Sequence, residues 1–176
     1  MDNQTLETLI RRICQEDNGA FEELYRLMKG GVFSFAYSLC GNWHTAEDVL
    51  QDTFLRIRQY AGTYQPGTNP KAWILTIAKN LALNTLRSGK RFADDNPGED
   101  ISAVYEQDQT EMIENRVLLD QLLKTLNQTE RQIVALHAVS DVKHADIAKM
   151  LGKPYGTVLW TYSNAVKKLK KELNNS

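Results

Sequence analysis

Long apolar runs, clustered cysteines and glycine-rich phosphate loops are all missing from this 176-residue chain. No apolar stretch approaches the roughly 18 residues that span a bilayer, so no membrane insertion is expected. The opening Met1-Asp2-Asn3-Gln4 has neither the basic nor the apolar region of a secretory leader, and a cytoplasmic location is expected. Only two cysteines are present. Cys14 and Cys40 have no CxxC spacing and fall inside apolar helical patterns, which predicts buried thiols rather than a disulfide or a metal site. No nucleophile elbow and no internal repeat is found, and no strand-like alternation competes with the helical periodicity. Nothing here calls for a cofactor, and an all-α protein is expected.

A hydrophobic content of 42% is enough for packed cores. Net charge is −1, but its distribution is uneven. Residues 1–90 carry ten Lys and Arg against nine Asp and Glu, residues 91–115 carry one against eight, and residues 116–176 carry ten against five. The acidic stretch coincides with a change of texture. In SGKRFADDNPGEDISAVYEQDQT, from Ser88 to Thr110, helical periodicity disappears and Gly89, Pro97 and Gly98 interrupt a run dense in acids. This predicts two small helical domains, residues 1–88 and 113–176, joined by an acidic flexible linker over 89–112.

The first domain reads as a bundle of four or five helices. Leu6, Leu9, Ile10 and Ile13 share one helical face, Phe21, Leu24, Tyr25 and Met28 a second, and Val32, Phe35, Ala36, Leu39 and Cys40 a third. Thr45 is a suitable N-cap for a helix running to about Tyr60, with Glu47 and Asp48 in its first turn and Val49, Leu50, Phe54 and Ile57 as its buried stripe. After a Gly/Pro loop, a helix over about Pro70–Leu86 would bury Trp73, Ile74, Ile77, Ala78 and Leu81.

In the second domain, Leu118, Leu119, Leu122, Leu123 and Leu126 line one helix. Asn127 or Thr129 starts another, bearing Ile133, Val134, Leu136 and His137. The following segment has a helix-turn-helix layout. Ala145, Ile147, Ala148 and Leu151 make a short helix, Gly152 permits a left-handed turn, and Pro154 leads into a longer helix with Val158, Tyr162, Ala165, Val166 and Leu169 facing inward. Tyr155, Thr157, Leu159, Trp160, Thr161, Ser163, Asn164, Lys167 and Lys168 are left for the outer face or its flanks. Such a helix can lie in a DNA major groove, with early residues at base edges and lysines at phosphates. Lysines at a helix C-terminus also simply complement its dipole. Leu159 and Trp160 suit either thymine methyls or a protein surface.

The segments AEDVLQDTFLRI (Ala46 to Ile57), KAWILTIAKNLALNTLR (Lys71 to Arg87) and DIAKMLGKPYGTV (Asp146 to Val158) resemble the bacterial RNA polymerase sigma factors of the extracytoplasmic-function (ECF) type. The resemblance covers nearly the whole chain and implies two helical domains, region 2 and region 4, around a variable linker. It implies that Glu47, Asp48, Gln51, Asp52 and Phe54 bind core RNA polymerase, with the acids forming a strip for cationic side chains. It implies that Trp73, Lys79, Asn80, Asn84 and Arg87 meet the melted minus-ten element of promoter DNA, Trp73 being suited either to core packing or to supporting an unstacked strand. An anti-sigma factor is an implied further partner. The chain departs from the family pattern in two places. Asn84 stands where many members have Asp, and Leu159-Trp160-Thr161 replaces the usual basic or polar residues, implying an unusual minus-thirty-five element or weaker DNA binding by region 4.

Other readings stay open. A sigma-like adaptor with weakened promoter reading would also suit the exposed Leu-Trp pair. His44, Glu47, Asp48 and Asp52, with distant His137 or His144, mimic a metal cluster of a helical enzyme, although the acids point away from the apolar stripe. The acids Asp94, Asp95, Glu99 and Asp100 could lie against the lysine-rich final helix or form a simple solvated tether. His144 reads as a surface histidine with no assigned function.

Overall fold

The computed structural model describes residues 2–89 and 124–175. The expected linker, its acids, and the Leu118, Leu119, Leu122 and Leu123 stripe lie outside the described residues. Within them there is no strand, and no helix is long and apolar enough to cross a membrane.

Four α-helices make the first stretch: α1 (Asn3–Ile13), α2 (Asn18–Cys40), α3 (Trp43–Tyr60) and α4 (Pro70–Gly89), with a 3₁₀ turn at Ala61–Thr63. The second stretch holds α5 (Gln128–Val134), which continues as a π-turn over Ala135–Val139, then α6 (His144–Leu151) and α7 (Tyr155–Asn175). Long α2 is the hub, contacting α1, α3 and α4 of the first stretch and α5 with the π-turn of the second. Buried side chains from Leu6 to Val158 form one contiguous cluster across both stretches.

Local chemistry explains the boundaries. Asp17 caps α2 by accepting from the Ala20 N–H, and Gly41 at φ +66° closes it in the left-handed region that glycine occupies without penalty. Asn42, not Thr45, caps α3. The Asn42 side chain accepts from the Thr45 N–H, and the helix starts at Trp43, two positions before the expected cap. Asn127 and Glu130 form a reciprocal capping box at the start of α5. The two apolar faces expected in residues 21–40 belong to a single helix running through Gly30 and Gly31.

The two stretches are tied by polar contacts as well as by the shared core. Lys71, only 4% exposed, reaches the Asp141 carboxylate at 2.9 Å. That pairing spares the desolvated ammonium the penalty of an uncompensated charge, and it holds the Asp141 carboxyl below the usual carboxylate range. Asn69 donates to Asp146 at 2.8 Å, and Lys79 donates to the Met150 carbonyl. At the crossing of α2 with the π-turn, a Cβ on Gly31 would stand 2.8 Å from Ser140 Oγ, so a side chain fits there only if Ser140 shifts, and the close approach favours glycine.

Three readings of burial are corrected. Cys14 is exposed, because it follows the last buried residue of α1 and turns outward, whereas Cys40 is half-buried and its thiol is pushed up in pKa by burial. Ala145 faces solvent, leaving Ile147 and Ala148 to pack α6. His144 is no surface group, since its ring lies 3.9 Å from that of His137, tilted by 38°, and meets Tyr162 edge-on at 5.0 Å.

Candidate polymerase and nucleic-acid interfaces

On α3 the buried stripe Ala46, Val49, Thr53, Phe54 and Ile57 orients the helix, leaving Asp48, Gln51 and Asp52 exposed on the opposite side. They share one face through three- and four-residue spacing. Leu55, 58% exposed, completes that face, a residue that the charge pattern does not mark. Its signal was available: it is the apolar residue of this helix that falls off the buried stripe. Glu47 sits at the margin, half-buried, accepting from the Trp43 indole N–H at 3.0 Å. Phe54 does not join the others. It is 3% exposed and packed edge-to-face against Phe21 and Tyr25, so its side chain belongs to the core and not to the exposed strip.

On α4 a second stripe is formed by Trp73, Ile77, Asn80, Asn84 and Arg87, again at three- and four-residue spacing. Trp73 is half-buried against Tyr64, ring centroids 5.5 Å apart, and Asn80, Asn84 and Arg87 are exposed. The stripe therefore grades from a partly covered aromatic to two amides and a guanidinium. Lys79 lies outside it. One position back from Asn80 turns a side chain by about 100° around a helix, toward the buried row Lys71, Leu75, Ala78 and Ala82, where Lys79 bonds to α6.

The helix-turn-helix is α6, Gly152 at φ +62°, and α7. Val158, Thr161 and Ala165 are buried, fixing the rotation of α7. Thr161 is thus an inward residue, not an outer one, lying at the floor of a groove of about 800 Å³ between α7 and the start of α5. The exposed side carries Tyr155, Thr157, Leu159, Trp160 and Ser163, then Lys167, with half-buried Asn164 on the groove wall. Lys168 ends on the buried Glu130 carboxylate at 2.7 and 2.9 Å. Burial pushes that carboxyl up, but the Lys168 ammonium and the Asn127 N–H outweigh it and hold Glu130 below the usual range. Lys168 is therefore a strut between α7 and α5 in this arrangement.

The carboxylates and histidines do not converge. Among the described residues no three His, Cys, Asp or Glu side chains stand as metal ligands would, and the one acid near His44, Asp48, is 3.9 Å away on an exposed surface. What the geometry offers is recognition by surfaces: an acidic strip with one apolar residue, an amide-rich stripe, and a lysine-flanked helix.

Residues 24–92 match the family model of Sigma-70 region 2, and residues 116–169 match that of Sigma-70 region 4. The chain is 34% identical over 140 residues to the ECF RNA polymerase sigma factor EcfG of Rhodopseudomonas palustris, an alignment covering 77% of this chain and 75% of EcfG. It is 28% identical over 174 residues to the ECF RNA polymerase sigma factor BldN of Streptomyces coelicolor, covering 96% of this chain and 66% of BldN. Among solved structures, it superposes with a TM-score of 0.68 and 26% identity on the sigma factor RpoE of Bartonella quintana in complex with the anti-sigma factor NepR, covering 88% of this chain and 96% of that one.

Proposed function

This chain belongs to the ECF-type RNA polymerase sigma factors, and we propose that it binds core RNA polymerase in the cytoplasm and directs promoter recognition, melting and transcription initiation. It performs no covalent chemistry; its surfaces position DNA and polymerase. The α3 face Asp48, Gln51, Asp52 and Leu55, with Glu47 at its edge, docks on a cationic partner surface, where exposed acids speed encounter and the leucine supplies buried apolar contact. The α4 stripe meets the opened minus-ten element, Trp73 backing an unstacked base while the Asn80 and Asn84 amides pair with base edges and Arg87 contacts phosphate. Helix α7 enters the upstream major groove.

The observation that carries this reading is the location of all three faces within the matched region 2 and region 4 stretches, each rotated outward by a buried stripe on its own helix. An anti-sigma factor is a fitting further partner, as RpoE has in NepR. In the structure, Lys79 ties α4 to α6, Asn69 ties the residue before α4 to α6, and Lys71 of α4 reaches Asp141 ahead of α6, so spreading region 2 from region 4 on polymerase requires those contacts to break.

Core binding tests the assignment. The chain is expected to co-elute with purified bacterial core polymerase, and Asp48→Lys with Asp52→Lys is expected to weaken that association at least tenfold while leaving the thermal melt unchanged. Failure of the unaltered chain to associate with core would overturn the proposal. Unchanged affinity of the doubly reversed variant would overturn the assignment of α3.

A further inference from the structure

We infer that Trp160 sets the base preference of region 4 by reading thymine methyl groups in the upstream promoter element, an inference that rests on the promoter-directing role proposed above. Trp160 is 68% exposed, more than any other large apolar side chain among the described residues. Val158 and Ala165, both fully buried, fix the rotation of α7, and Trp160 stands near the middle of the opposite side. One turn before it is Gly156, where an added Cβ would meet nothing within 4 Å, so the fold itself does not require glycine. The bare backbone beside Trp160 leaves room for a surface to approach the helix closely.

The surroundings favour a polyanion over a protein. From Lys153 to Lys171 the sequence contains no Asp or Glu, and along the outer strip Trp160 is followed by Ser163 and Lys167. The ring's neighbours in the groove wall are Thr157, Asn164 and Lys167, polar or cationic, and the exposed apolar Leu159 and Tyr155 stand about 100° and 140° round the helix from it, so the three do not merge into the one apolar patch that a protein-docking surface would present. In a major groove, an indole has one polar group, a donor. The N7 acceptor it can use is present on both purines, so that bond discriminates little. Its apolar face discriminates through the one apolar group on any base edge, the thymine C5-methyl. Asn164, one turn further on, carries the donor and acceptor pair that matches adenine, so the two residues together favour neighbouring A·T pairs.

The test uses holoenzyme assembled from core polymerase and the full chain, on a promoter selected from a random library. Each thymine of its upstream element is replaced singly by deoxyuridine, which removes only the methyl and keeps base pairing and the hydrogen-bonding edge. At one position at least, the substitution is expected to weaken holoenzyme binding about fourfold, the factor corresponding to about 0.8 kcal/mol for a buried methyl. In Trp160→Ala, whose exposed site spares the fold, thymine and uracil become equivalent there, with core binding unchanged. Equivalence of thymine and uracil everywhere in the unaltered holoenzyme, survival of the difference in Trp160→Ala, or a selected element without thymine would each overturn the inference. If those results came with promoter-specific transcripts, the sigma-factor reading would stand and Trp160 would be left to a protein partner. If no holoenzyme formed, both would fall together.

Discussion

Gly30 and Gly31 are adjacent in the middle of α2, yet alanine is expected to act on them with opposite sign. Alanine exceeds glycine by about 1 kcal/mol in a helix interior, because glycine surrenders more backbone freedom on folding. At Gly30 a Cβ meets nothing within 4 Å, so Gly30→Ala keeps that gain and raises the melting temperature by about 2 to 4 °C for a chain of this size. At Gly31 the new Cβ would lie 2.8 Å from Ser140 Oγ and 3.3 Å from Ser140 Cβ. The hydroxyl, which donates to the Ala135 carbonyl at 3.2 Å, has to leave, losing about 1 kcal/mol, and the remaining overlap costs about 1 to 3 kcal/mol more. Set against the helix gain, Gly31→Ala is destabilising by about 1 to 3 kcal/mol. In a Ser140→Ala background the same substitution should cost less, because the nearest clashing atom is gone. Circular dichroism melts of the four variants decide the matter. If Gly31→Ala stabilised as much as Gly30→Ala, α2 would not be held against the π-turn in solution, and the packing of region 4 on region 2 would be refuted.

Further expectations concern the surfaces and the core. Phe54→Ala should lower stability by about 3 to 5 kcal/mol in denaturant melts. In that variant, core affinity per folded molecule should stay near the unaltered level; a specific affinity loss at unchanged stability would restore Phe54 as a contact. His144 has its pKa lowered by burial and by His137, so the unfolded chain binds the proton more readily. Its contribution is full above the ordinary histidine value of about 6.5 and is lost as pH falls below it, so stability should decline there. In His144→Gln that decline should shrink, as followed by melts between pH 5 and 8, and an identical slope would count against the assignment. With a net charge of −1 and Lys168 engaged by Glu130, the free chain should bind promoter DNA poorly at physiological salt. Sub-micromolar specific binding without polymerase, measured by fluorescence anisotropy, would contradict this.

Much of the architecture was legible because apolar spacing on α1, α3 and α7 is regular and the turn signal Gly152 adopts the left-handed conformation. The start of α4 and the turn of the helix-turn-helix followed from Pro70, Gly152 and Pro154, whereas α4 runs to Gly89, three residues past the expected Leu86. Errors arose where two local signals competed. Asn42 and Thr45 are both good caps, and the tight turn after Gly41 selects Asn42. Phe54 belonged both to the apolar stripe of α3 and to the family motif, and packing decided for the stripe. Long-range pairings had no local signal. Lys71 and Asp141 are 70 residues apart, and nothing near Lys71 marks it as buried. The same holds for Lys79 on Met150 and Lys168 on Glu130, which are lysines by composition and interdigitating struts by geometry. Exposed positions such as Asp48, Asp52, Asn80 and Asn84 were readable because helical rotation alone places them.

Run-off transcription by purified bacterial core polymerase on a promoter-fragment library, with and without this chain, tests the central claim most directly. The account predicts new transcripts that start a fixed distance downstream of shared upstream and minus-ten elements and that disappear when the chain is omitted. Core binding without any new transcript would contradict it and point to an adaptor.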